Sequence, residues 1–289
     1  MSKIQNIQVS THGAELTSLV AGGREYLWQG DPQYWGRRAP ILFPIVGRLA
    51  NDTLCISGTR YQMKQHGFAR DAEFEQLLER PVIMRMLRKQ PITNYPYDFN
   101  LQVRYAISGN TLKVDWEVTN NGDCMMHFQI GAHPAFMLTE YDARDDVHGY
   151  IQFYDTEGKV VSPMVIHYLE DGVRQTYGSI KALLNEQSVL ALTNSTFADD
   201  ALLFEGRQVA SASLFDKAGH RVLTVHCPQA DAFGLWAPNK RGCPFVCIEP
   251  WCGIADKKDF NGDISERDCI HSIKPNETYT FSYSITINK

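Results

Sequence analysis

Residues 101–119 read LQVRYAISGNTLKVDWEVT, and this stretch carries an unambiguous strand pattern. Apolar and polar side chains alternate on both sides of Gly109-Asn110, which is the pattern of two half-buried β-strands. A two-residue Gly-Asn loop is short enough to join such strands directly as an antiparallel hairpin. The stretch therefore predicts a β-hairpin that packs one face against the protein core.

Similar patterns recur toward the carboxyl end. Residues 209–215 and 220–226 flank a turn and predict a second hairpin, and residues 279–287 alternate aromatic or Ile with Thr or Ser. Helical signals are weak, because residues 179–184 form a short candidate helix and residues 71–90 fit neither period. We predict an all-β fold: a large antiparallel β-sandwich with few short helices, forming a single domain over the whole chain, residues 1–289.

Composition excludes several classes of protein. Of the 289 residues, 44% are hydrophobic and 21% are charged, which is ordinary for a globular chain and excludes a mostly disordered one. The net charge is -5 and there is no long basic run, so neither nucleic acid nor a membrane surface is expected as a partner. The amino terminus has no apolar segment, and we expect a cytoplasmic protein.

The chain has seven cysteines, an odd set without a disulfide framework, which favours reduced thiols. Cys243, Cys247 and Cys252 lie close enough in sequence to raise the question of a metal site. Their spacing is not CxxC, however, and Cys247 lies in the middle of a predicted strand. We therefore expect no metal.

Two histidines each adjoin a glycine. His133 lies in FQIGAHPAF (residues 128–136), where Gly131 allows close backbone approach and Pro134 restricts the residue before it. Its ring is thus either aimed by the backbone for chemistry or a core imidazole bonded to a carbonyl group. His66 lies in QHGFAR (residues 65–70) and repeats this pattern with an arginine close by.

Two further charged groups follow apolar segments. Arg48 ends a run bracketed by prolines and is either a surface charge or an aimed hydrogen-bond donor. In FVCIEPW (residues 245–251), alternation places Phe245, Cys247 and Glu249 on one face of a strand. Glu249 ends that apolar strand, so it is either a solvent-exposed carboxylate or a partly buried one with a raised pKa, suited to general-base catalysis.

Four segments now carry a resemblance: residues 43–48 (FPIVGR), 65–70 (QHGFAR), 131–136 (GAHPAF) and 247–251 (CIEPW). In this order and in an all-β chain, they resemble the aldose 1-epimerase (mutarotase) family, in its LacX-like branch. The resemblance covers nearly the whole chain. It implies a galactose-mutarotase-like β-sandwich, a sugar-binding cleft on one face of the main sheet, isomerase activity and no required cofactor.

The resemblance also implies residue roles. His133 corresponds to the general acid of the family and Glu249 to its general base, while His66 matches a histidine that hydrogen-bonds the sugar near its ring oxygen. Further implied sugar-binding residues are Arg48, which would hold the pyranose, Asp200, with Asp199 as a competing match, and Trp236 as a stacking platform.

Three alternatives stay open. Arg70 follows the second segment as it does in the hexose-6-phosphate 1-epimerases, where it helps bind phosphate, but it could equally pair with Asp71 or Glu73. A non-catalytic sugar-binding protein would use the same groups, and a glycosidase would pair Asp200 with Glu249. We expect an unphosphorylated aldose as substrate. We expect the protein to be a monomer or a homodimer.

Overall fold

The computed structural model describes residues 2–88, 94–176 and 182–288. Its strands, in chain order, are β1 (Ile4–Val9), β2 (Leu16–Ala21), β3 (Arg24–Glu25), β4 (Ile41–Leu42), β5 (Thr53–Ile56), β6 (Thr59–Gln62), β7 (Glu75–Glu79), β8 (Val82–Arg88), β9 (Phe99–Ser108), β10 (Thr111–Asn120), β11 (Met126–Phe128), β12 (Ile130–Ala132), β13 (Ala135–Met137), β14 (Val147–Tyr154), β15 (Val160–Val161), β16 (Leu169–Glu170), β17 (Val173–Arg174), β18 (Val189–Thr193), β19 (Leu202–Glu205), β20 (Ser211–Phe215), β21 (Arg221–His226), β22 (Ala232–Trp236), β23 (Phe245–Cys252), β24 (His271–Ile273) and β25 (Thr278–Ile287). Single 3-10 turns span Ala50–Asp52, Ala69–Asp71 and Ile264–Glu266.

The predicted all-β fold is confirmed. Every helix in the described ranges is one of these 3-10 turns, so none is long enough to cross a lipid bilayer. The strands pair antiparallel in two principal sheets of ten and six strands, and β1-β2-β3, β5-β6, β11-β24 and β16-β17 form smaller ones.

The predicted hairpin lies at the centre of the ten-stranded sheet, whose order is β15-β14-β20-β21-β25-β10-β9-β8-β7, with β18 beside β14. Strands β9 and β10 pair from Ser108↔Thr111 to Phe99↔Asn120, and Gly109-Asn110 forms the loop. The second predicted hairpin is β20-β21, and the predicted last strand, β25, pairs with both β10 and β21. Local alternation therefore predicted the middle of this sheet.

The six-stranded sheet has the order β19-β22-β23-β12-β4, with β13 also on β23. Its central strand β23 is buried along its whole length. Val246 and Ile248 pack in the main core, which also contains the inward residues of the ten-stranded sheet. Phe245, Cys247 and Trp251 belong to separate apolar clusters on the opposite, outer face. Alternation along β23 thus has the predicted phase, and one face is free to form a site.

Three expectations need correction. Strand β23 continues to Cys252, so Glu249 lies inside the strand rather than at its end. Residues 71–90, which fitted neither period, contribute β7 and β8, which pair with a register shift that breaks simple alternation. Of the candidate helix at residues 179–184, residues 179–181 lie outside the described ranges and 182–184 have no regular structure.

Candidate functional site

A cleft of about 400 Å³ opens on the outer face of the six-stranded sheet. The resemblance implied a cleft on the main sheet, but this sheet is the smaller of the two principal sheets. The core between the sheets covers the inner faces of both, so the cleft lies on an outer face. All the site residues expected from the sequence line this cleft: Arg48, His66, Arg70, His133, Asp200, Trp236 and Glu249. The competing Asp199 is exposed and is not among the lining residues.

His133 and Glu249 face each other within the cleft. The Nε2 atom of His133 lies 3.3 Å from Oε2 of Glu249, and both side chains are buried. The backbone explains this proximity, because β12 and β13, on either side of His133, both pair with β23, which carries Glu249. Gly131 favours close packing here, since a Cβ atom would come within 3.2 Å of the Trp251 ring and would require the ring to shift. The imidazole is therefore aimed at a carboxyl group, not at a backbone carbonyl.

Aromatic rings enclose the imidazole of His133. Trp35 stacks on it at a centroid distance of 4.9 Å and an interplanar angle of 27°. Trp236 meets it edge-on at 5.7 Å, and His66 does so at 5.5 Å. These contacts exclude water from most of the ring and hold its orientation.

Burial shifts the pKa values of the two groups in opposite directions. Desolvation lowers the pKa of His133 to about 3, and the nearby positive charge of Arg70 adds to this effect. Desolvation also raises the pKa of Glu249 well above its usual value; the Trp251 hydrogen bond opposes the shift and the charge of Asp200 adds to it. The pair favours its uncharged form, with a neutral imidazole and a protonated carboxyl group.

His66 presents one defined ring nitrogen to the cleft. Its backbone N–H donates to the carbonyl of Gly47 at 2.8 Å, and the N–H of Gly47 donates back to Nδ1 of His66 at 3.1 Å. Because Nδ1 accepts, the neutral ring carries its proton on Nε2. Burial lowers the pKa of His66 well below its usual value, and the charge of Arg70 acts in the same direction. His66 is thus a neutral hydrogen-bond donor.

The turn after His66 needs glycine. Gly67 has a φ of +69°, and a Cβ atom there would lie 2.2 Å from the carbonyl oxygen of Phe43. No side chain fits at that distance. The close packing of Gly67 on Phe43 therefore holds His66 beside the segment that follows β4.

Arg48 is a half-exposed guanidinium with fixed partners. Its Nε and Nη2 atoms donate to the two carboxylate oxygens of Asp52 at 2.9 and 3.0 Å, and Nη1 donates to the carbonyl of Asp171 at 3.2 Å. The hydrogen bond and charge of Asp52 raise the pKa of Arg48. The arginine is therefore both near the surface and oriented by a bidentate ion pair.

Arg70 is more deeply buried and less fully paired. Its Nη2 donates to the carbonyl of Gln65 at 2.7 Å, while Nε is buried without a hydrogen-bond partner among the described residues. Asp71 approaches Nε only to 4.0 Å and instead pairs with Arg37 at 2.7 Å. Desolvation lowers the pKa of Arg70 to about 10, with a further contribution from Arg37. Of the two surface partners considered from the sequence, Glu73 pairs elsewhere, with His12.

Asp200 lies at the opposite wall of the cleft. Its Oδ2 accepts from the N–H of Gly172 at 3.1 Å, and its Oδ1 accepts from the N–H of Ala201 at 2.7 Å. The backbone of Asp200 has a φ of +148°, which L-residues rarely adopt. These bonds hold the carboxylate in the cleft that Trp236 and Glu249 also line.

Several lining residues were not singled out from the sequence as sugar contacts: Trp35, Gly47, Gln65, Leu169, Asp171, Gly172, Ala201 and Trp251. Asp171-Gly172 has a recognisable turn signal, but nothing local indicates that this turn faces the cleft. Trp35 lies in a segment rich in Pro and Gly, whose path depends on tertiary packing.

One set of donor atoms, two of them from residues that line the cleft, could hold a metal. The ligand atoms of His133, Cys247 and Glu249 all lie within 4.8 Å of one another. Metal binding would require the thiolate of Cys247. Burial raises the pKa of this thiol well above its usual value, and the charge of Glu249 raises it further, which opposes loss of the proton. The arrangement is better suited to proton transfer between His133 and Glu249.

Comparison with known proteins identifies the family of this chain. The family model described as aldose 1-epimerase matches residues 3–286. The chain belongs to the aldose 1-epimerase family. Among members with related sequences, the plasmid-encoded LacX protein of Lactococcus lactis subsp. lactis is 31% identical, over 97% of this chain and 96% of that protein.

Solved structures have the same fold as this chain. A galactose mutarotase related enzyme from Lactobacillus acidophilus superposes with a TM-score of 0.88 at 31% identity, covering 100% of this chain and 98% of the other. A galactose mutarotase-like protein from Lactobacillus casei gives a TM-score of 0.88 at 25% identity, covering 99% of each chain. The expected galactose-mutarotase-like sandwich is therefore confirmed.

Proposed function

We propose that this protein is a mutarotase that interconverts the α and β anomers of an unphosphorylated aldohexose. The observation that carries the proposal is the pair formed by His133 and Glu249, 3.3 Å apart in the cleft. Anomer exchange needs a proton donor and a proton acceptor that both reach oxygens on the same carbon atom. Two adjacent, buried proton carriers at the floor of a sugar-sized cleft meet that requirement.

The reaction balances without any co-reactant. The base removes the proton from the hydroxyl on C1 while the acid gives a proton to the ring oxygen, so the bond between C1 and the ring oxygen breaks and a free aldehyde forms. Rotation about the C1–C2 bond presents the other face of the aldehyde. The ring oxygen then attacks that face, its proton returns to the acid residue, and O1 regains a proton from the base residue.

The family resemblance assigns the acid to His133 and the base to Glu249. In the protein itself, burial favours the tautomer with the proton on Glu249 and a neutral His133. The two tautomers carry the same net charge and differ by one proton transfer across 3.3 Å. We propose that the pair holds a single proton and that sugar binding moves it to His133, because the C1 hydroxyl and ring oxygen then hydrogen-bond both groups.

The remaining groups bind and orient the pyranose. His66 donates from Nε2 toward the sugar oxygens, and the guanidinium of Arg48, held by Asp52, supplies donors from the rim. Asp200 accepts hydrogen bonds from sugar hydroxyls, and Trp236 packs against an apolar sugar face. Such orientation contributes to catalysis because the reacting oxygens must lie close to the acid and the base at the same time.

The test is acceleration of mutarotation. Freshly dissolved α-glucose and α-galactose should equilibrate faster with the wild-type protein than with buffer, as followed by polarimetry or by NMR of the anomeric protons. Glu249→Gln serves as a matched protein control that keeps the cleft shape. A wild type that binds these sugars by calorimetry but does not accelerate equilibration would identify a non-catalytic sugar-binding protein instead.

A second candidate substrate is a hexose 6-phosphate, and Arg70 is the observation that favours it. Its buried Nε has no hydrogen-bond partner among residues that the structure describes, and Asp71 neutralises it only weakly. A phosphate dianion usually attracts several donors, however. The other cleft guanidinium, on Arg48, already has a bidentate carboxylate partner, so we rank the neutral sugar first.

A further inference from the structure

A second cluster of polar side chains lies away from the cleft. Asp231 immediately precedes β22, Cys252 ends β23 and His271 begins β24. Their ligand atoms, a carboxylate oxygen, Sγ and a ring nitrogen, all lie within 4.8 Å of one another. Asp231 and Cys252 are buried, and His271 is largely so. This combination of residue types is one that transition metals bind.

Two of these atoms are buried without a hydrogen-bond partner among the described residues. They are Oδ2 of Asp231 and Nε2 of His271, and they lie 3.9 Å apart, too far for a hydrogen bond. Leaving such groups unpaired in the protein interior destabilises the folded state. A cation between them would satisfy both, and the distance leaves space for one.

The neighbours of the cluster support a bound cation. Arg207 donates to Oδ1 of Asp231 from both Nε and Nη2, at 3.0 and 2.8 Å, which fixes the carboxylate and leaves Oδ2 as the one free ligand atom. Hydrogen bonds of this kind from surrounding residues commonly orient metal ligands. Burial raises the pKa of the Cys252 thiol, as it does that of Cys247. This cluster differs from the His133 set because two of its facing ligand atoms, Oδ2 of Asp231 and Nε2 of His271, lack hydrogen-bond partners among the described residues.

We propose that Oδ2 of Asp231, Sγ of Cys252 and Nε2 of His271 bind one divalent transition-metal ion of the Zn²⁺ type. Binding releases the thiol proton of Cys252, which otherwise donates to the carbonyl of Gln229 at 3.1 Å. The resulting thiolate and carboxylate charges balance the ion. Zinc bonds of about 2.0–2.3 Å place tetrahedral ligands about 3–4 Å apart, so the side chains need only a small contraction.

This site is separate from the cleft. Side chains alternate along β23, so Cys252 faces the main core together with Ile248, whereas Trp251 and Glu249 face the cleft. The proposed ligands come from three segments that are distant in sequence. The expected role is therefore structural: the ion would join the turn before β22 to β23 and β24, and it would take no part in anomer exchange.

Cobalt provides the direct test, because Co²⁺ occupies zinc sites and a cobalt–thiolate bond gives a near-ultraviolet charge-transfer absorption. Purified apo protein is titrated with Co²⁺ alone, in the wild type and in three variants. We expect one ion per chain with the charge-transfer band, loss of the band in Cys252→Ser, and its retention in Cys124→Ser, which removes an exposed thiol. The third variant, Cys247→Ser, removes the sulfur of the rival set in the cleft and should also keep the band.

The proposal is overturned if the wild type shows no band, if Cys252→Ser keeps it, or if Cys247→Ser loses it. Since Cys252→Ser alters a buried position, His271→Gln provides a second check. In the wild type Zn²⁺ should raise the midpoint of thermal unfolding and a chelator should lower it, because a ligand that binds only the folded state stabilises it. The midpoint of a folded His271→Gln should respond at least tenfold more weakly to Zn²⁺ concentration, and an unchanged response would also overturn the proposal.

Discussion

Trp251 donates a hydrogen bond of 3.2 Å from its indole nitrogen to Oε2 of Glu249. The same carboxyl oxygen lies 3.3 Å from Nε2 of His133. One atom of Glu249 is therefore held by a fixed donor and simultaneously faces the second proton carrier. Because both residues lie on the same face of β23, the strand geometry alone positions the indole against the carboxyl group. This contact keeps the carboxyl group oriented when a sugar enters.

Removal of either proton carrier should abolish most of the catalysis. We expect Glu249→Gln and His133→Asn each to reduce the catalysed rate of α-glucose mutarotation by ~10²–10⁴-fold, since each keeps a similar shape but cannot exchange the proton. The exposed variant Glu157→Gln is the matched control and should keep the wild-type rate. Circular dichroism verifies the fold. A near-full rate in either site variant would show that its residue is not a proton carrier.

Trp251→Phe should alter the pH dependence of the rate. The indole hydrogen bond lowers the pKa of Glu249, so without it that pKa rises further. We expect the rate to decline on the alkaline side at a higher pH than in the wild type, because the pair keeps its proton longer. Trp116→Phe, a change in the main core, should leave the alkaline decline in place. If the two variants gave the same profile, Trp251 would have only a packing role.

The raised pKa of Glu249 also predicts how stability depends on pH. Above the ordinary value of 4.5, the unfolded chain loses this proton while the folded protein keeps it. Fewer protons on the unfolded state mean that the free energy of unfolding falls as pH rises, by up to about 1.4 kcal/mol per pH unit. Glu249→Gln removes this dependence, so the variant should gain stability relative to the wild type between about pH 5 and pH 7.

Urea unfolding of the two proteins at both pH values measures this difference. Glu157→Gln controls for the loss of one carboxylate at an exposed position. If wild type and Glu249→Gln showed parallel stability over this range, the carboxyl group would ionise normally in the folded protein.

Local sequence predicted much of this molecule, but not its electrostatics. Alternation around Gly109-Asn110 specified the central hairpin because strand pairing there needs only neighbouring residues. The rise in the pKa of Glu249 could be anticipated from the apolar strand around it, although the hydrogen bond from Trp251, which opposes that rise, could not. The low pKa of His133 could not, since it depends on burial under Trp35 and on the charge of Arg70, which come from distant segments.

The cluster of Asp231, Cys252 and His271 illustrates the same limit. None of its members has a metal-type spacing in the sequence, and Cys252 was considered only with Cys243 and Cys247. Strand β22 pairs with β23, and β24 pairs with β11. These two pairings bring the three side chains together. Such a meeting follows from sheet topology and cannot be inferred from separation along the chain.

Chelators should leave the mutarotation rate unchanged at temperatures where the protein stays folded. The proposed chemistry uses the proton of the His133 and Glu249 pair and needs no Lewis acid. Initial rates with glucose should therefore be equal before and after dialysis against EDTA. Loss of activity that Zn²⁺ restores would instead assign a metal to the His133, Cys247 and Glu249 set.

Arg70 distinguishes the two candidate substrate classes, and we expect a preference for neutral sugars. Comparison of kcat/KM for glucose, galactose and glucose 6-phosphate should favour the unphosphorylated aldoses in the wild type. Arg70 lines the cleft with an unpartnered Nε that can donate to a sugar oxygen, so Arg70→Ala should lower kcat/KM for those neutral sugars by about tenfold. That is the effect of losing one hydrogen bond from a charged donor, about 1.5 kcal/mol. Arg144→Ala, a change at an exposed arginine, is the matched control. A strong preference for glucose 6-phosphate that disappears in Arg70→Ala would establish a hexose-phosphate epimerase, because a guanidinium binding phosphate oxygens explains that pattern directly.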